Sequence, residues 1–128
     1  MIIFKSINTL SKKVDFKANV GFIPTMGMLH KGHTSLIKIA KKKSKKVIVS
    51  IFVNPTQFNK TCDYKNYPRN LTKDINLLKK LKVDYLLIPT IKNIYENRKK
   101  LKIKIRSKDK IMCAKYRKGH FEGVLAVI

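Results

Sequence analysis

The run Lys46-Val47-Ile48-Val49-Ser50-Ile51-Phe52-Val53 is almost continuously β-branched and apolar. A strand whose apolar side chains point both ways must be covered on both faces, which is the situation of a parallel sheet in an α/β protein. Two further runs, Val20-Gly21-Phe22-Ile23 and Val83-Asp84-Tyr85-Leu86-Leu87-Ile88, read as buried strands of the same sheet, and residues 1–4 as a short strand or extended start. Helical spacing fills the intervals. Ile7, Leu10 and Val14 share one side of a helix over 6–16. Leu36, Ile37, Ile39 and Ala40 mark another over about 31–45. Leu71, Ile75, Leu78 and Leu81 mark a third, capped by Asn70. Such alternation of strands and helices predicts a right-handed, doubly wound parallel sheet.

The intervening and terminal segments are less regular. Asn54-Pro55 and Pro89 are strand-ending signals, and 56–68 shows no periodicity. Ile91–Tyr95 reads as a helical turn, and 101–106 alternates in the manner of a half-exposed strand. Residues 119–128 begin as a loop and turn apolar.

A chain of 128 residues fits one domain with a modest core, and 44% hydrophobic content excludes a disordered tail. No apolar run approaches the ~20 residues of a membrane span. Met1-Ile2-Ile3-Phe4 meets Lys5 at once, too short for a signal-peptide core, so a cytoplasmic location and no membrane partner are expected. Cys62 and Cys113 have no metal-ligand spacing and read as incidental thiols.

The net charge of +23 invites a nucleic-acid reading. However, only Arg69, Arg98, Arg106 and Arg117 among the 30 basic residues are arginine, the residue favoured for bidentate phosphate and base recognition. Lys, Ile and Asn all have A/T-rich codons, so compositional bias accounts for the charge. Salt-sensitive, non-specific polyanion binding is expected, and no specific nucleic acid.

Chemistry concentrates in Pro24-Thr25-Met26-Gly27-Met28-Leu29-His30-Lys31-Gly32-His33, where the first long strand gives way to a helix. Histidines three apart on a helix share a face. A helix N-terminus adds unpaired N–H donors and partial positive charge, so phosphate is a natural ligand there. Two imidazoles at that end can donate hydrogen bonds to phosphate oxygens as charge builds during transfer. Gly32, without a Cβ, leaves room for a base or ribose to approach the backbone. In doubly wound sheets ligands bind at the carboxyl ends of the strands. The histidine run, the Asn54–Phe58 loop and Pro89-Thr90 all fall at that edge.

At these residues the chain resembles the pantothenate synthetase (pantoate–β-alanine ligase) family. The likeness is carried by Ile23-Pro24-Thr25-Met26-Gly27 through Leu29-His30 and Gly32-His33, and by Val49-Ser50-Ile51-Phe52-Val53-Asn54-Pro55 with Gln57-Phe58. It continues through Tyr67-Pro68-Arg69, Val83-Asp84, Ile94-Tyr95, Gly119-His120-Phe121 and Gly123-Val124. His-x-Gly-His alone indicates only the wider nucleotidyltransferase superfamily. The resemblance implies a Rossmann-like domain and an ATP- and Mg²⁺-dependent reaction in coenzyme A biosynthesis. Pantoate forms pantoyl adenylate and pyrophosphate; β-alanine then displaces AMP to give pantothenate. It further implies ATP contact by Met26, Gly27, Met28, Leu29, His30, Lys31, Gly32 and His33. Catalytic roles fall to His33 and His30, the substrate pocket to Gln57 with Asn54 nearby, and the assembly is a homodimer. No residue is assigned as a metal ligand.

The family runs to about twice this length. Its Gly-Glu-Lys-Asp and Ser-Ser-Arg segments, a second pantoate-binding glutamine and the C-terminal domain are not in the sequence. The expectation is therefore that 1–128 forms a partial nucleotide-binding domain, ending before that domain is complete, with doubtful activity alone. Two other readings are a catalytically dead nucleotide-binding or assembly module and a basic nucleic-acid-binding protein.

Overall fold

The computed structural model describes residues 1–58 and 60–95. Four strands, β1 (Ile2–Phe4), β2 (Val20–Thr25), β3 (Lys46–Ile51) and β4 (Tyr85–Leu87), form one parallel sheet in the order β1-β4-β3-β2. Register runs Val20↔Lys46 to Thr25↔Ile51, Ile48↔Tyr85 to Ser50↔Leu87, and Ile2↔Tyr85 to Phe4↔Leu87. Helices α1 (Ile7–Lys13), α2 (Lys31–Lys43), α3 (Thr61–Asn66), α4 (Leu71–Lys80) and α5 (Ile91–Tyr95) occupy the connections, with a 3₁₀ turn at Pro55–Gln57.

Strand side chains alternate between two cores, as the two-sided apolar run in β3 requires. Val47, Val49 and Ile51 join Ile37 of α2, Leu78 of α4 and Leu86 of β4 on one face. Ile48 joins Leu10 of α1 and Val14 just beyond it, with Phe4 and Leu87, on the other. The sheet is thus covered on both faces and doubly wound, as expected. Ile37 and Leu78 have no exposed surface, and each such side chain contributes roughly 1.5–3 kcal/mol by leaving water.

Local chemistry explains most helix ends. Ser6 Oγ accepts Thr9 N–H at 3.2 Å and Asn70 Oδ1 accepts Lys73 N–H at 3.1 Å, so both are N-caps. Lys41, Lys42 and Lys43 fill the last turn of α2, where positive charge favours the helix dipole. At the opening of β3, Asp84 accepts Val47 N–H at 2.9 Å and pairs with Lys46 at 3.1 Å.

Several boundaries differ from expectation. α1 stops at Lys13, where Val14 turns extended and tucks into the core. β2 continues through Pro24 to Thr25; it lies at the sheet edge among the described residues, where a missing N–H is tolerated. α3 forms inside the stretch with no apolar period, because none of its residues is buried and so none had to be apolar. On α2 only Ile37 is fully buried; Leu36 and Ile39 are 54% and 51% exposed. The strand expected over 101–106 and the apolar segment in 119–128 lie outside the described residues.

Candidate active site

The carboxyl ends of β2, β3 and β4 bring the three expected loops together. Beside them a cavity of about 280 Å³ has walls that include Met26, Phe52, Tyr64, Arg69, Asp74 and Thr90, but no residue of the Asn54–Phe58 loop. Neither histidine nor Gln57 lines it. Arg69 is held beside it by the carbonyls of Tyr67 (2.8 Å) and Tyr64 (3.1 Å), with its guanidinium 5.2 Å from the centre of the Tyr64 ring.

The loop leaving β2 is tightly specified. Thr25 Oγ1 donates to the Ser50 carbonyl at 2.8 Å and accepts Gly27 N–H at 3.2 Å. The chain then turns through two left-handed residues, Gly27 (φ 81°) and Met28 (φ 51°). A methionine held there costs roughly 1–2 kcal/mol. The carboxylate of Asp74, 3% exposed, accepts Met28 N–H on Oδ2 and Leu29 N–H on Oδ1, both at 2.8 Å. Leu29 itself is buried in the larger core, so its side chain serves packing rather than a ligand.

The two histidines cap α2 reciprocally. His30, the N-cap, accepts Gly32 N–H on Nδ1 at 3.1 Å, while His33 Nδ1 accepts His30 N–H at 3.2 Å. The rings lie 4.1 Å apart, tilted by 49°. An imidazole nitrogen that accepts carries no proton, so each neutral ring holds its hydrogen on Nε2. Burial, then the neighbouring His30, push the His33 imidazole below its ordinary value, against a smaller opposing pull from Asp74. Neutral His33 therefore presents an Nε2–H donor at the helix end. Gly32 has a different use from the one expected. A Cβ there would stand 2.9 Å from His30 Cε1, so the space is filled by the His30 ring rather than left for a base or ribose. Lys31 is exposed in the first turn.

Asn54 and Gln57 bracket the 3₁₀ turn after β3. Asn54 has no exposed surface, and its Oδ1 accepts Thr56 N–H (3.2 Å), Thr56 Oγ1–H (2.9 Å) and the Tyr95 hydroxyl (2.5 Å). Gln57 is buried and donates its N–H to the Asn54 carbonyl at 3.2 Å. The geometry makes Asn54 a cap that fixes the turn carrying Gln57. Asp74 and Tyr95 were not singled out by the sequence reading as site residues. An acid in the first turn of a helix ordinarily faces water, and only the partners of Asp74 reveal otherwise.

Among the described residues no three His, Cys, Asp or Glu side chains gather closely enough to hold a metal ion. No helix among them is long and apolar enough to cross a membrane.

The family model for pantoate-beta-alanine ligase matches residues 2–128. The chain belongs to the pantoate-beta-alanine ligase family. It is 46% identical over 125 residues to a pantothenate synthetase of Francisella tularensis subsp. novicida, covering 97% of this chain and 48% of that one. It is 42% identical over 131 residues to that of Pseudothermotoga lettingae, covering 100% and 47%. The crystal structure of a Francisella tularensis pantoate-beta-alanine ligase, complexed with beta-gamma ATP and beta-alanine, superposes with a TM-score of 0.90 at 46% identity. That match covers 99% of this chain and 50% of that one. A Thermus thermophilus pantothenate synthetase gives 0.90 at 34% identity, covering 99% and 46%. The chain thus spans about half the length of the curated relatives it matches, and its Rossmann-like sheet is the fold of this ligase family.

Proposed function

We propose that this chain supplies the nucleotide- and acid-binding half of an ATP-dependent ligase that joins pantoate to β-alanine. One observation carries the reading: two imidazoles 4.1 Å apart at the start of α2, each with Nδ1 held by a backbone N–H, present paired Nε2–H donors beside a helix N-terminus. In the first step a pantoate carboxylate oxygen bonds to the α-phosphorus of ATP and the bond to pyrophosphate breaks. Charge grows on the α-phosphate oxygens, and donors already in place stabilise it without reorganising. His33, the less exposed of the pair and held neutral by burial, is the principal donor; His30 orients it and donates alongside. In the second step the β-alanine amine bonds to the acyl carbon, AMP departs and the amine proton is lost.

Met26, Gly27, Met28, Leu29 and Lys31 line the nucleotide's approach, Leu29 through its backbone, while Gly32 contributes by leaving room for the His30 ring. Gln57, with one acceptor and two donors, suits a substrate bearing hydroxyl and carboxylate groups, on a turn that Asn54 holds. Mg²⁺ would be carried on the nucleotide's own phosphates, where it would neutralise part of their charge. Asp74, the buried carboxylate at this edge, has both oxygens engaged by the loop. A homodimer in the cytoplasm completes the proposal.

The test is AMP release dependent on both pantoate and β-alanine. It is run with the chain alone and with a polypeptide corresponding to the second half of the Francisella relative, alongside a titration of the histidine resonances with Mg·ATP. The expected result is a shift of the His30 and His33 signals and doubly dependent AMP release with both halves present. Histidine signals indifferent to Mg·ATP, and no such AMP release in either mixture, overturn the reading.

A further inference from the structure

We infer that Asp74 is the positioning residue of this site: from α4 it fixes the backbone of the Gly27–Leu29 turn and thereby sets where the His30 and His33 imidazoles stand. The chain of contacts is short. Asp74 is anchored by the helix, donating its own N–H to the Asn70 carbonyl at 3.1 Å. Its two oxygens take one N–H each from consecutive residues, Met28 and Leu29, at 2.8 Å. Two successive peptide planes are thus oriented by one rigid carboxylate, and charge-assisted hydrogen bonds of this length are the strong ones. Only the torsions of Leu29 separate those planes from the His30 N–H, and the burial of the Leu29 side chain removes that freedom. The His30 N–H in turn holds His33 Nδ1. Packing admits little drift at the turn, since a Cβ on Gly27 would stand 3.0 Å from Asp74 Oδ2 and 3.2 Å from Ile51 Cγ2.

The inference deepens the ligase reading and rests on it for its consequence in nucleotide binding; the geometric claim stands apart from it. Asp74→Asn keeps the size of the side chain but replaces one acceptor with a donor that faces a backbone N–H. Asp74→Glu keeps the charge and moves it by one methylene. Leu77→Ala, on the same helix and away from the turn, serves as a variant that loosens α4 alone.

The decisive measurement is the pair of ¹⁵N shifts of the His33 ring at pH 8. The parent chain should give the pattern of hydrogen on Nε2 with Nδ1 accepting, and Leu77→Ala should match it. Asp74→Asn should move His33 to a mixture of the two neutral forms, with Asp74→Glu in between; the latter decides the matter if the former does not fold. Mg·ATP affinity should fall roughly tenfold to a hundredfold in Asp74→Asn, the scale of one charge-assisted hydrogen bond, and stay near the parent's in Leu77→Ala. A folded Asp74 variant with His33 shifts identical to the parent's overturns the inference. Should the parent fail to bind Mg·ATP while Asp74→Asn still shifts His33, positioning stands and the ligase reading falls.

Discussion

The hydroxyl of Tyr95 donates to Asn54 Oδ1 at 2.5 Å, tying α5 to the turn that carries Gln57 across forty residues of sequence. The same oxygen takes two bonds from Thr56, so three donors converge on one buried acceptor.

Removing that hydroxyl should loosen the turn without emptying it. Tyr95→Phe is expected to cost about 1 kcal/mol, the net worth of a typical hydrogen bond, whereas Asn54→Ala removes the acceptor of three donors at once and should cost more, about 1–3 kcal/mol. Urea unfolding midpoints check both. Equal losses for the two substitutions would show that Asn54 does not organise the turn.

His33→Ala is expected to slow pantoyl adenylate formation by ~10²-fold or more in an active preparation, the scale for losing one preorganised donor. Pantoate-dependent exchange of labelled pyrophosphate into ATP reads this step alone. Near-parental exchange would remove His33 from the chemistry.

The depressed titration of His33 also makes stability depend on pH. In the unfolded chain the ring takes up its proton as pH falls through about 6.5, while the folded ring resists. The unfolded state then binds more protons, so stability rises with pH across this window and is lost as pH falls from about 7 towards the folded value. Protonation also removes the acceptor that holds the His30 N–H. His33→Gln should flatten this part of the curve. A parental slope in that variant would assign the dependence to other groups.

Gly27→Ala should destabilise the chain by at least roughly 1–2 kcal/mol, the cost of a left-handed backbone for an L-residue, to which contacts with Asp74 and Ile51 add. Thermal melting checks this, and an unchanged midpoint would mean that the turn readily rearranges.

If the charge of +23 reflects codon composition, DNA binding should be weak, indifferent to sequence, and largely gone by about 0.2 M salt. In the structure Lys41, Lys42 and Lys43 lie at the opposite end of α2 from the histidines. A sequence-specific complex surviving that salt would instead support a nucleic-acid role.

The sheet was legible because burial on two faces leaves an unmistakable mark: Val47 to Ile51 could hardly be anything but a covered strand. The histidine pair was legible because its spacing and its place at a strand-to-helix junction are both local. What escaped is long-range or one-sided. α3 buries nothing, so no pattern announces it. Leu36 and Ile39 read as core, yet α2 turns only a narrow stripe, Ile37 with Ala40 partly buried, towards the sheet. Asp74 grips residues more than forty positions away. Asn54 was legible as a strand-ending residue, but its bond from Tyr95 joins groups that only the fold brings near.

The placement of β1 imposes an order of assembly. Among the described residues Ile2–Phe4 pairs only with Tyr85–Leu87, so β1 gains this partner only when nearly all of the described chain exists. β2 and β3, joined by one helix, can pair much sooner, because closing a shorter loop costs less entropy. Contacts this distant in sequence slow folding. During synthesis Phe4 and the apolar side of α1 stay only partly covered, by Ile48, until Leu87 emerges, which makes β1 and α1 the segment most in need of protection while this stretch is being made.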